Sequence, residues 1–372
     1  MIPYGRHSIG IRDIISVINS LKSDWLTTGP RVKQFENLLS EFVGAPCVTV
    51  TSGTAALHCA YAAIGLQEND EIITPPITFV ATQATARMFG AKIVFADVQP
   101  DTLNIDPKYA EKVISKRTKA IVAVDYAGHP ADLKELRKIA DKHSIFLIED
   151  AAHSLGSIYR GQPVGSIADI TTFSFFPTKN ITTAEGGAIA SIHPHLLEKA
   201  KRFSRQGLIR DSGEFIIKDE GAWHQEVHEF GLNYRLPDVL CALGISQIAK
   251  LEEFKEKRRA IFQYYAENLK DLNITLPQER SYVDSNWHLY PVRVQASKRR
   301  DTFDFLRSSG IGVQVNYLPA YRHPAFGINE SVWRKFTNSE RFYKEEISLP
   351  MHPRLRKRDL EKVVRTLKAA KL

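Results

Sequence analysis

Cysteine is scarce in this chain of 372 residues. The three cysteines, Cys47, Cys59 and Cys241, lie far apart and form no CxxC pair. Neither a disulfide framework nor a zinc site is therefore indicated, and we expect no metal ion. The pattern predicts buried thiols, two of them on helices, in a protein of a reducing compartment.

Long apolar runs are also missing. The opening residues, MIPYGRHSIG, lack the apolar core of a signal sequence. No stretch approaches the ~20 apolar residues that a membrane span needs. We therefore expect a cytoplasmic protein that has no membrane partner.

Basic residues exceed acidic ones, which gives a formal net charge of +8 at pH 7. They are interleaved with acids, as in KLEEFKEKRR, which is typical of amphipathic surface helices. The chain has no basic stripe and no motif for reading nucleic acid, so we expect no nucleic-acid partner. A phosphorylated small substrate would suit the modest excess of positive charge better.

Strand-like runs alternate with helical patterns over the first two thirds of the chain. The runs are CVTV, EIITPP, AKIVFADV, KAIVAVDY and IFLIED. Nearly continuous apolar strands that are separated by helices predict a mostly parallel sheet covered on both faces. The predicted fold class is α/β.

The pattern changes after ALGISQIAKLEEFKEKRRAIFQYYAENL, which predicts one long helix because it has few helix breakers. A smaller α+β pattern follows it. We expect a large domain over residues 1–250, whose first 25 or so residues pack as an arm, and a small domain over residues 251–372.

A single lysine, Lys179, follows a strand-like run in FSFFPTKNITTAEGGAIA. A solvated loop cation is the commoner role of a lysine. Asp150, however, ends the apolar strand SIFLIED, and in open α/β sheets ligands bind at the carboxyl ends of strands. Asp150 could be a simple turn or cap carboxylate, but two adjacent strand ends would bring both residues to one pocket.

A lysine amine and a buried carboxylate together suit pyridoxal 5′-phosphate (PLP). The amine forms a Schiff base with the aldehyde, and the carboxylate keeps the pyridine nitrogen protonated. The protonated ring withdraws electrons, so the Cα proton of the substrate becomes removable. A lysine released from the cofactor could then move that proton, provided that its surroundings lower the pKa of its amine.

A phosphate cradle is predicted at Ser52, Gly53 and Thr54, which directly precede an Ala-rich helical run. A helix N-terminus offers unpaired N–H groups, to which the Ser and Thr hydroxyls add donors. Taken alone, the segment could be a simple helix cap, and it is not a P-loop. Ser174 is a candidate for a further phosphate donor, and Phe79 for an aromatic that stacks on the pyridine ring.

Seven segments in this order resemble the fold-type I, PLP-dependent sugar aminotransferases of the DegT/DnrJ/EryC1/StrS family. They are SDWLTTGPRVKQFE, VTSGTAALHCA, EIITPPITFVAT, IEDAAHSLGS, TTFSFFPTKNITTAEGGAI, GLNYRLPDVLCALGISQI and ISLPMH. The resemblance implies that a seven-stranded-type sheet forms the large domain.

The resemblance also implies residue roles. Lys179 would form the internal Schiff base and Asp150 would pair with the ring nitrogen. The other cofactor positions would be His153 beside the cofactor, Phe79 on its ring, and Ser52, Gly53, Thr54 and Ser174 at its phosphate. Asn233 would reach the phosphate from the neighbouring subunit, which implies a homodimer with shared active sites.

Within the family, IPYGRHSIG, SDWLTTGP and KNITTAEGGA are most similar to the enzymes of the pseudaminic acid pathway. This likeness implies transfer of an amino group from L-glutamate to C4 of UDP-2-acetamido-2,6-dideoxy-β-L-arabino-hex-4-ulose, with pyridoxamine 5′-phosphate (PMP) formed in between. The residues that would line the sugar-nucleotide site are Tyr4, Asp24, Trp25, Leu26, Thr27, Val315, Asn316, Tyr317 and Leu318.

Several alternatives stay open. The substrate could be the D-xylo epimer of the bacillosamine and legionaminic acid routes, or a keto-sugar linked to dTDP or GDP. Related dehydratases carry histidine at the lysine position, so Lys179 argues against that chemistry. A non-catalytic PLP-binding regulator would need a DNA-reading domain, which we do not expect, and a metal hydrolase would need a motif such as HExxH.

Overall fold

The computed structural model describes residues 1–218 and 220–370 as a mixed α/β structure. The α-helices in these residues are α1 (Ile11–Leu21), α2 (Pro30–Val43), α3 (Gly53–Ala63), α4 (Ala81–Arg87), α5 (Pro107–Lys112), α6 (Leu133–His143), α7 (Pro194–Phe203), α8 (Asp238–Ile248), α9 (Leu251–Leu269), α10 (Arg299–Ser308), α11 (Glu330–Trp333), α12 (Thr337–Glu345) and α13 (Lys357–Ala369). The strands are β1 (Cys47–Val50), β2 (Glu71–Thr74), β3 (Lys92–Phe95), β4 (Thr118–Val124), β5 (Phe146–Asp150), β6 (Ile158–Tyr159), β7 (Gln162–Pro163), β8 (Ile170–Ser174), β9 (Gly187–Ala190), β10 (Leu208–Ile209), β11 (Glu226–Val227), β12 (Val283–Asp284), β13 (Tyr290–Arg293) and β14 (Glu346–Leu349).

A seven-stranded sheet forms the centre of the molecule, in the order β1-β9-β8-β5-β4-β2-β3. Strand β9 runs antiparallel to both of its neighbours, whereas the pairs among β8, β5, β4, β2 and β3 are parallel. The predicted α/β class and the mostly parallel seven-stranded sheet are confirmed. Because the parallel strands share one direction, their carboxyl ends meet at one edge of the sheet.

The apolar runs are continuous because helices cover both faces of the sheet. Successive residues of β4 point to opposite sides: Ala120 and Val122 join a core cluster with α3, and Ile121 and Ala123 join one with α6. A strand that is buried on both faces needs apolar residues at every position. This burial explains why the sequence pattern identified the strands.

The prediction of one long helix from residue 242 onwards is wrong. The chain forms two helices, α8 and α9, which are separated at Ala249 and Lys250. The Lys250 ammonium lies 2.5 Å from the buried carboxylate of Asp13 on α1. Neither Gly nor Pro marks the break, so tertiary contacts override local helix propensity here. The break falls at the expected domain boundary, although the division into two domains stays a prediction.

The C-terminal part is built around the antiparallel pair β13 and β14. Helices α9, α10 and α13 supply Tyr265, Leu306 and Val363 to a core cluster that also holds Val292 and Ile347 of the two strands. The first residues of the chain join this part, because the Ile2 amide donates to the Gly310 carbonyl at 2.8 Å.

Helix α1 buries polar residues and exposes apolar ones. Asp13 and Ser20 are buried against α8, and the Ser16 hydroxyl donates to the Ala242 carbonyl at 2.7 Å. The opposite side, which we call the α1 apolar face, consists of exposed residues: Ile11, Ile14, Ile15, Ile18 and Leu21. A contiguous apolar face of this kind marks an interaction surface.

Cys47, Cys59 and Cys241 are buried free thiols, and the last two lie on helices, as the sequence predicted. Burial raises the pKa of the Cys59 thiol to about 12. In the part of the chain that the structure describes, no three His, Cys, Asp or Glu side chains come together as metal ligands would. None of the described helices combines the length and the apolar character that a membrane crossing requires.

Candidate active site

A cavity of about 480 Å³ opens at the carboxyl ends of three neighbouring parallel strands. Val124 of β4, Asp150 of β5 and Ser174 of β8 line it. Eight of the nine positions predicted from the sequence to contact the cofactor line this cavity: Ser52, Gly53, Thr54, Phe79, Asp150, His153, Ser174 and Lys179. The sheet therefore brings together residues from the first half of the chain that are far apart in sequence.

Asp150 is buried and held at both carboxylate oxygens. The Thr82 hydroxyl donates to Oδ2 at 2.7 Å, and the Ala152 amide donates to Oδ1 at 3.2 Å. Burial raises the pKa of Asp150, while these two donors and the positive charge of Lys179 act in the opposite direction. The site thus contains an oriented carboxyl group that can pair with a cationic ring nitrogen.

Lys179 lies in the turn that follows β8, and its side chain reaches the same cavity. Burial lowers the pKa of its amine to about 8, and the nearby charge of Asp150 limits the decrease. A substantial fraction of the amine is therefore neutral in mildly alkaline solution. A neutral amine in a cavity is the nucleophile that a carbonyl compound needs.

The N-terminus of α3 forms the wall near Ser174. Ser52 caps the helix, since its hydroxyl accepts from the Ala55 amide at 3.0 Å. The N–H groups of Gly53 and Thr54 have no acceptor within the helix, because they belong to its first turn. They and the Ser174 hydroxyl form a cradle that suits a phosphate group.

Two close approaches make this cradle possible. A Cβ atom on Gly53 would lie only 2.8 Å from the Cβ of Ser174. A Cβ atom on Gly187 of β9 would lie 2.5 Å from the Ser52 carbonyl oxygen. Larger residues at either position would push the cradle apart.

His153 lies in the cavity wall beside two aromatic groups. Its Nε2 atom is 3.3 Å from the Tyr317 hydroxyl, and its ring centroid is 4.3 Å from that of His288. Burial, together with the positive charge of Lys179, lowers the pKa of both histidines well below its usual range. Both rings are therefore neutral at physiological pH.

His288 is a cavity residue that was not predicted from the sequence. This residue is buried, lines the cavity and lies two positions before β13. A polar residue inside the apolar run NWHLYPV was the signal that could have identified it. Phe79 is 59% exposed and contacts the ring of Tyr317 edge-on, with the centroids 6.2 Å apart. One face of the Phe79 ring is thus available to a ligand.

Only three of the nine expected substrate positions line the cavity: Tyr4, Asn316 and Tyr317. Val315 and Leu318 flank Asn316 and Tyr317 and are half-buried outside the lining. The remaining four lie in the exposed segment after α1: Asp24, Trp25, Leu26 and Thr27. Asn233 is also exposed and away from the cavity of its own chain. The binding roles of all these residues stay predictions.

These residues fit PLP. The α3 cradle suits its phosphate, Asp150 suits its ring nitrogen, and the Lys179 amine suits its aldehyde. The Nδ1 atom of His153 is buried without a hydrogen-bond partner in the described chain, so the cavity holds a polar atom that a ligand can satisfy. The arrangement can bind a phosphorylated aldehyde and transfer protons beside it.

Known proteins share the whole of this fold. A UDP-4-amino-4,6-dideoxy-N-acetyl-β-L-altrosamine transaminase of Campylobacter jejuni is 37% identical over 378 residues, which covers 99% of this chain and 96% of that protein. Helicobacter pylori PseC, an aminotransferase involved in the biosynthesis of pseudoaminic acid, superposes with a TM-score of 0.92 at 32% identity and covers 99% of this chain and 98% of its own.

The PMP form of Spr1654 from Streptococcus pneumoniae gives a TM-score of 0.93 at 28% identity and covers 100% of this chain and 99% of its own. The model of the DegT/DnrJ/EryC1/StrS aminotransferase family matches residues 8–368. The chain therefore belongs to this family of sugar aminotransferases, which depend on pyridoxal 5′-phosphate.

Proposed function

We propose that the enzyme transfers an amino group from L-glutamate to C4 of UDP-2-acetamido-2,6-dideoxy-β-L-arabino-hex-4-ulose, in the biosynthesis of pseudaminic acid. The observation that carries the chemistry is the presence of Lys179 and Asp150 in one cavity beside the α3 cradle. The choice of sugar is supported by the likeness to the Campylobacter jejuni transaminase and to Helicobacter pylori PseC. A reducing cytoplasm suits the three buried thiols.

In this proposal, Lys179 would hold the cofactor through its amine and would move the substrate proton with that amine. The bound cofactor supplies an electron-withdrawing ring. Thr82 and Ala152 orient the carboxylate oxygens of Asp150. The negative charge of this carboxylate would keep a proton on the ring nitrogen. The lowered pKa of Lys179 lets the same amine accept and return a proton near neutral pH.

The remaining cofactor residues bind and orient. The first turn of α3 and Ser174 hold the phosphate, and Phe79 covers one ring face. His153 is neutral, so it presents a polar atom to the cofactor without adding a second positive charge near Lys179.

The sugar site would be bordered by a hydrogen-bonded group of side chains. The Asn316 amide donates to the Tyr4 hydroxyl at 2.5 Å, and Tyr317 contacts His153. Fixed hydroxyl and amide groups can recognise the substituents of a hexose. The exposed segment Asp24, Trp25, Leu26 and Thr27, together with Val315 and Leu318, would complete the site for the nucleotide.

We further propose a homodimer with shared active sites. The α1 apolar face is exposed, and so are four apolar residues before Asn233: Ile216, Ile217, Trp223 and Phe230. Exposed apolar area on this scale is costly in a monomer. A second copy would cover it and could bring Asn233 to the phosphate of the neighbouring site, which Asn233 does not reach within its own chain.

The test of the substrate is a comparison of kcat/KM for the two UDP-linked 4-keto epimers with L-glutamate as donor. We expect the L-arabino ketone to be preferred by at least tenfold. A site that orients a sugar by hydrogen bonds can reject a misplaced analogue by roughly 10⁴-fold, whereas apolar shape alone gives about 10- to 200-fold.

Controls test the aminotransferase activity separately from the choice of sugar. Reactions without glutamate, or with Lys179→Ala, should give no amino sugar from either ketone. Preference for the D-xylo epimer, or activity confined to dTDP-linked sugars, would contradict the assigned substrate and leave the aminotransferase assignment intact. Absence of transamination from any keto-sugar would contradict both.

A further inference from the structure

Thr82 contacts the Asp150 carboxylate from behind and does not line the cavity itself. It is on the first turn of α4 and fully buried. Its hydroxyl oxygen is 2.7 Å from Asp150 Oδ2. The only other donor to the Asp150 carboxylate among the described residues is the Ala152 amide, which contacts Oδ1.

The single hydroxyl proton of Thr82 has one strong acceptor. Thr78 Oγ1 lies 3.1 Å away and the Phe79 carbonyl 3.4 Å away, both farther than Asp150 Oδ2. A carboxylate is also the stronger acceptor, because hydrogen bonds to charged groups are shorter and stronger. Thr82 therefore donates to Asp150, which leaves Thr78 as the donor to Thr82.

The backbone of Thr82 is fixed as well. The Tyr61 hydroxyl donates to the Thr82 carbonyl at 2.7 Å, and Tyr61 is fully buried on α3. Helix α3 also carries the phosphate cradle at its N-terminus. Thr82 thus connects the cradle helix to the strand that ends at Asp150.

Several ionisable groups surround Asp150. Lys179 faces it across the cavity, Asp125 lies on the neighbouring strand end, and the Tyr61 and Tyr317 phenols are close by. Burial raises the pKa of Asp150, whereas Lys179 and the Thr82 hydroxyl both favour its ionised form. If Lys179 is bonded to a ligand, its ammonium charge no longer stabilises the ionised Asp150 carboxylate. The hydrogen bond from Thr82 still does so.

We propose that Thr82 is a positioning residue, which orients Asp150 and stabilises it as the anionic partner of the cofactor's ring nitrogen. The inference rests on the proposed role of Asp150. With Oδ2 and Oδ1 each holding one protein donor, the remaining lone pairs of the carboxylate are free to accept the ring N–H.

The test measures binding of PMP to cofactor-free protein by isothermal titration calorimetry, together with the absorption spectrum of the bound PMP. Thr82→Val keeps the shape of the side chain and removes the donor. We expect Kd to rise about 10- to 100-fold, because one hydrogen bond to a charged group is lost. The absorption maximum should shift, since it depends on protonation of the ring.

Matched variants isolate the hydroxyl. Thr82→Ser keeps the donor and should bind PMP within about threefold of the wild type, with an unchanged spectrum. Thr85→Val removes a buried hydroxyl from the same helix that donates only to the Ala81 carbonyl, so it controls for loss of a buried threonine. Thr82→Ala serves as a second donor-free variant if Thr82→Val melts early.

The outcomes distinguish this inference from the proposal beneath it. If Asp150→Asn binds PMP as the wild type does, the assigned role of Asp150 is wrong. If Asp150→Asn binds weakly while Thr82→Val and Thr82→Ala match Thr85→Val in both affinity and spectrum, only the inference about Thr82 is overturned. Weak binding by both donor-free variants, rescued by Thr82→Ser, supports it.

Discussion

The floor of the cavity and the outer apolar surfaces are built in opposite ways. At the floor, the protein's own side chains and amides orient the key polar groups: Asp150 is held by Thr82 and Ala152, and Ser52 caps α3. On the outside, the α1 apolar face and the loop containing Trp223 and Phe230 are open, with these two side chains 80% and 94% exposed. One chain thus orients Asp150 and the α3 cap by itself, whereas its outer apolar surfaces are the ones that the proposed homodimer would cover.

This difference separates two kinds of variant. Substitutions at the floor should alter chemistry and leave assembly unchanged, because they touch only groups within one chain. Substitutions on the α1 apolar face should alter assembly first and activity second. If a substitution at the floor changed the assembly state, or one on the α1 apolar face changed activity without changing assembly, the two regions would be coupled.

The largest effect is expected from removal of the Lys179 amine. Lys179→Ala should reduce transamination on the order of 10³-fold or more and abolish the visible absorption of the lysine-linked cofactor. Sedimentation should stay unchanged, since the side chain lies at the cavity wall. Lys179→Arg keeps the charge but cannot form the covalent link, and it should be equally inactive. Retention of a tenth of wild-type turnover in either variant would refute the role of Lys179.

The next largest effect is expected at Asn233, and it tests whether a residue of a second chain completes the cofactor site. Alone, Asn233→Ala chains should be weakly active and Lys179→Ala chains inactive. When they are mixed and allowed to exchange subunits, the heterodimers contain one intact site, so about a quarter of wild-type activity should return at a 1:1 ratio. If no activity returns although exchange is demonstrated by mass, Asn233 does not act across subunits.

A smaller effect is expected on the α1 apolar face. Ile18→Asp places a charge where the proposed interface would bury it, and such burial without a partner costs several kcal/mol. Sedimentation velocity should show dissociation at micromolar concentration. Asn19→Asp adds the same charge at an exposed neighbour and should sediment as the wild type. Identical behaviour of the two variants would place the interface elsewhere.

The smallest effect concerns a buried carboxyl group that contacts a residue of the cavity lining, Asn316. Glu346 is fully buried, and its carboxyl group accepts a hydrogen bond from the backbone N–H of Asn316 at 2.8 Å. Burial raises the pKa of Glu346 to about 8. The folded protein retains this proton while the unfolded chain releases it above about pH 4.3. Stability is therefore lost as pH rises towards 8, by at most ~1.4 kcal/mol per pH unit.

Glu346→Gln removes this dependence. Between pH 6 and pH 8, urea unfolding should show the variant gaining roughly 2 kcal/mol relative to the wild type. Glu345→Gln, next to it in the chain and partly exposed, should follow the wild-type pH profile. A Glu346→Gln curve parallel to that of the wild type would mean that Glu346 is ionised throughout.

The sequence was most informative where local pattern and position in the sheet coincide. Asp150 and Ser174 end strands of the central sheet, and Ser52 precedes an Ala-rich helix. Their position at the carboxyl edge of the sheet could therefore be predicted from the sequence. The cavity does bring these residues together with Lys179. Parallel strands with short connections make such juxtapositions a consequence of topology.

Other features depend on contacts between distant segments. The break between α8 and α9 accompanies an ion pair to Asp13, more than 200 positions earlier. His288 and Thr82 lie in runs that are typical of an ordinary strand and an ordinary helix. Only tertiary packing places His288 in the cavity lining and the Thr82 hydroxyl against Asp150. The role of Asn233 involves a proposed second chain, which no pattern within one chain can position.

The phosphate cradle combines two chain segments that are synthesised at different times. Ser52 and Gly53 leave the ribosome long before Ser174 and Gly187, yet β1 joins the sheet only through β9. The anion site is therefore complete only once β9 has paired with both β1 and β8, and its pairing with β1 requires closing a loop of more than 100 residues. Cofactor binding then stabilises the finished sheet and slows its unfolding, but it cannot guide the early steps of folding.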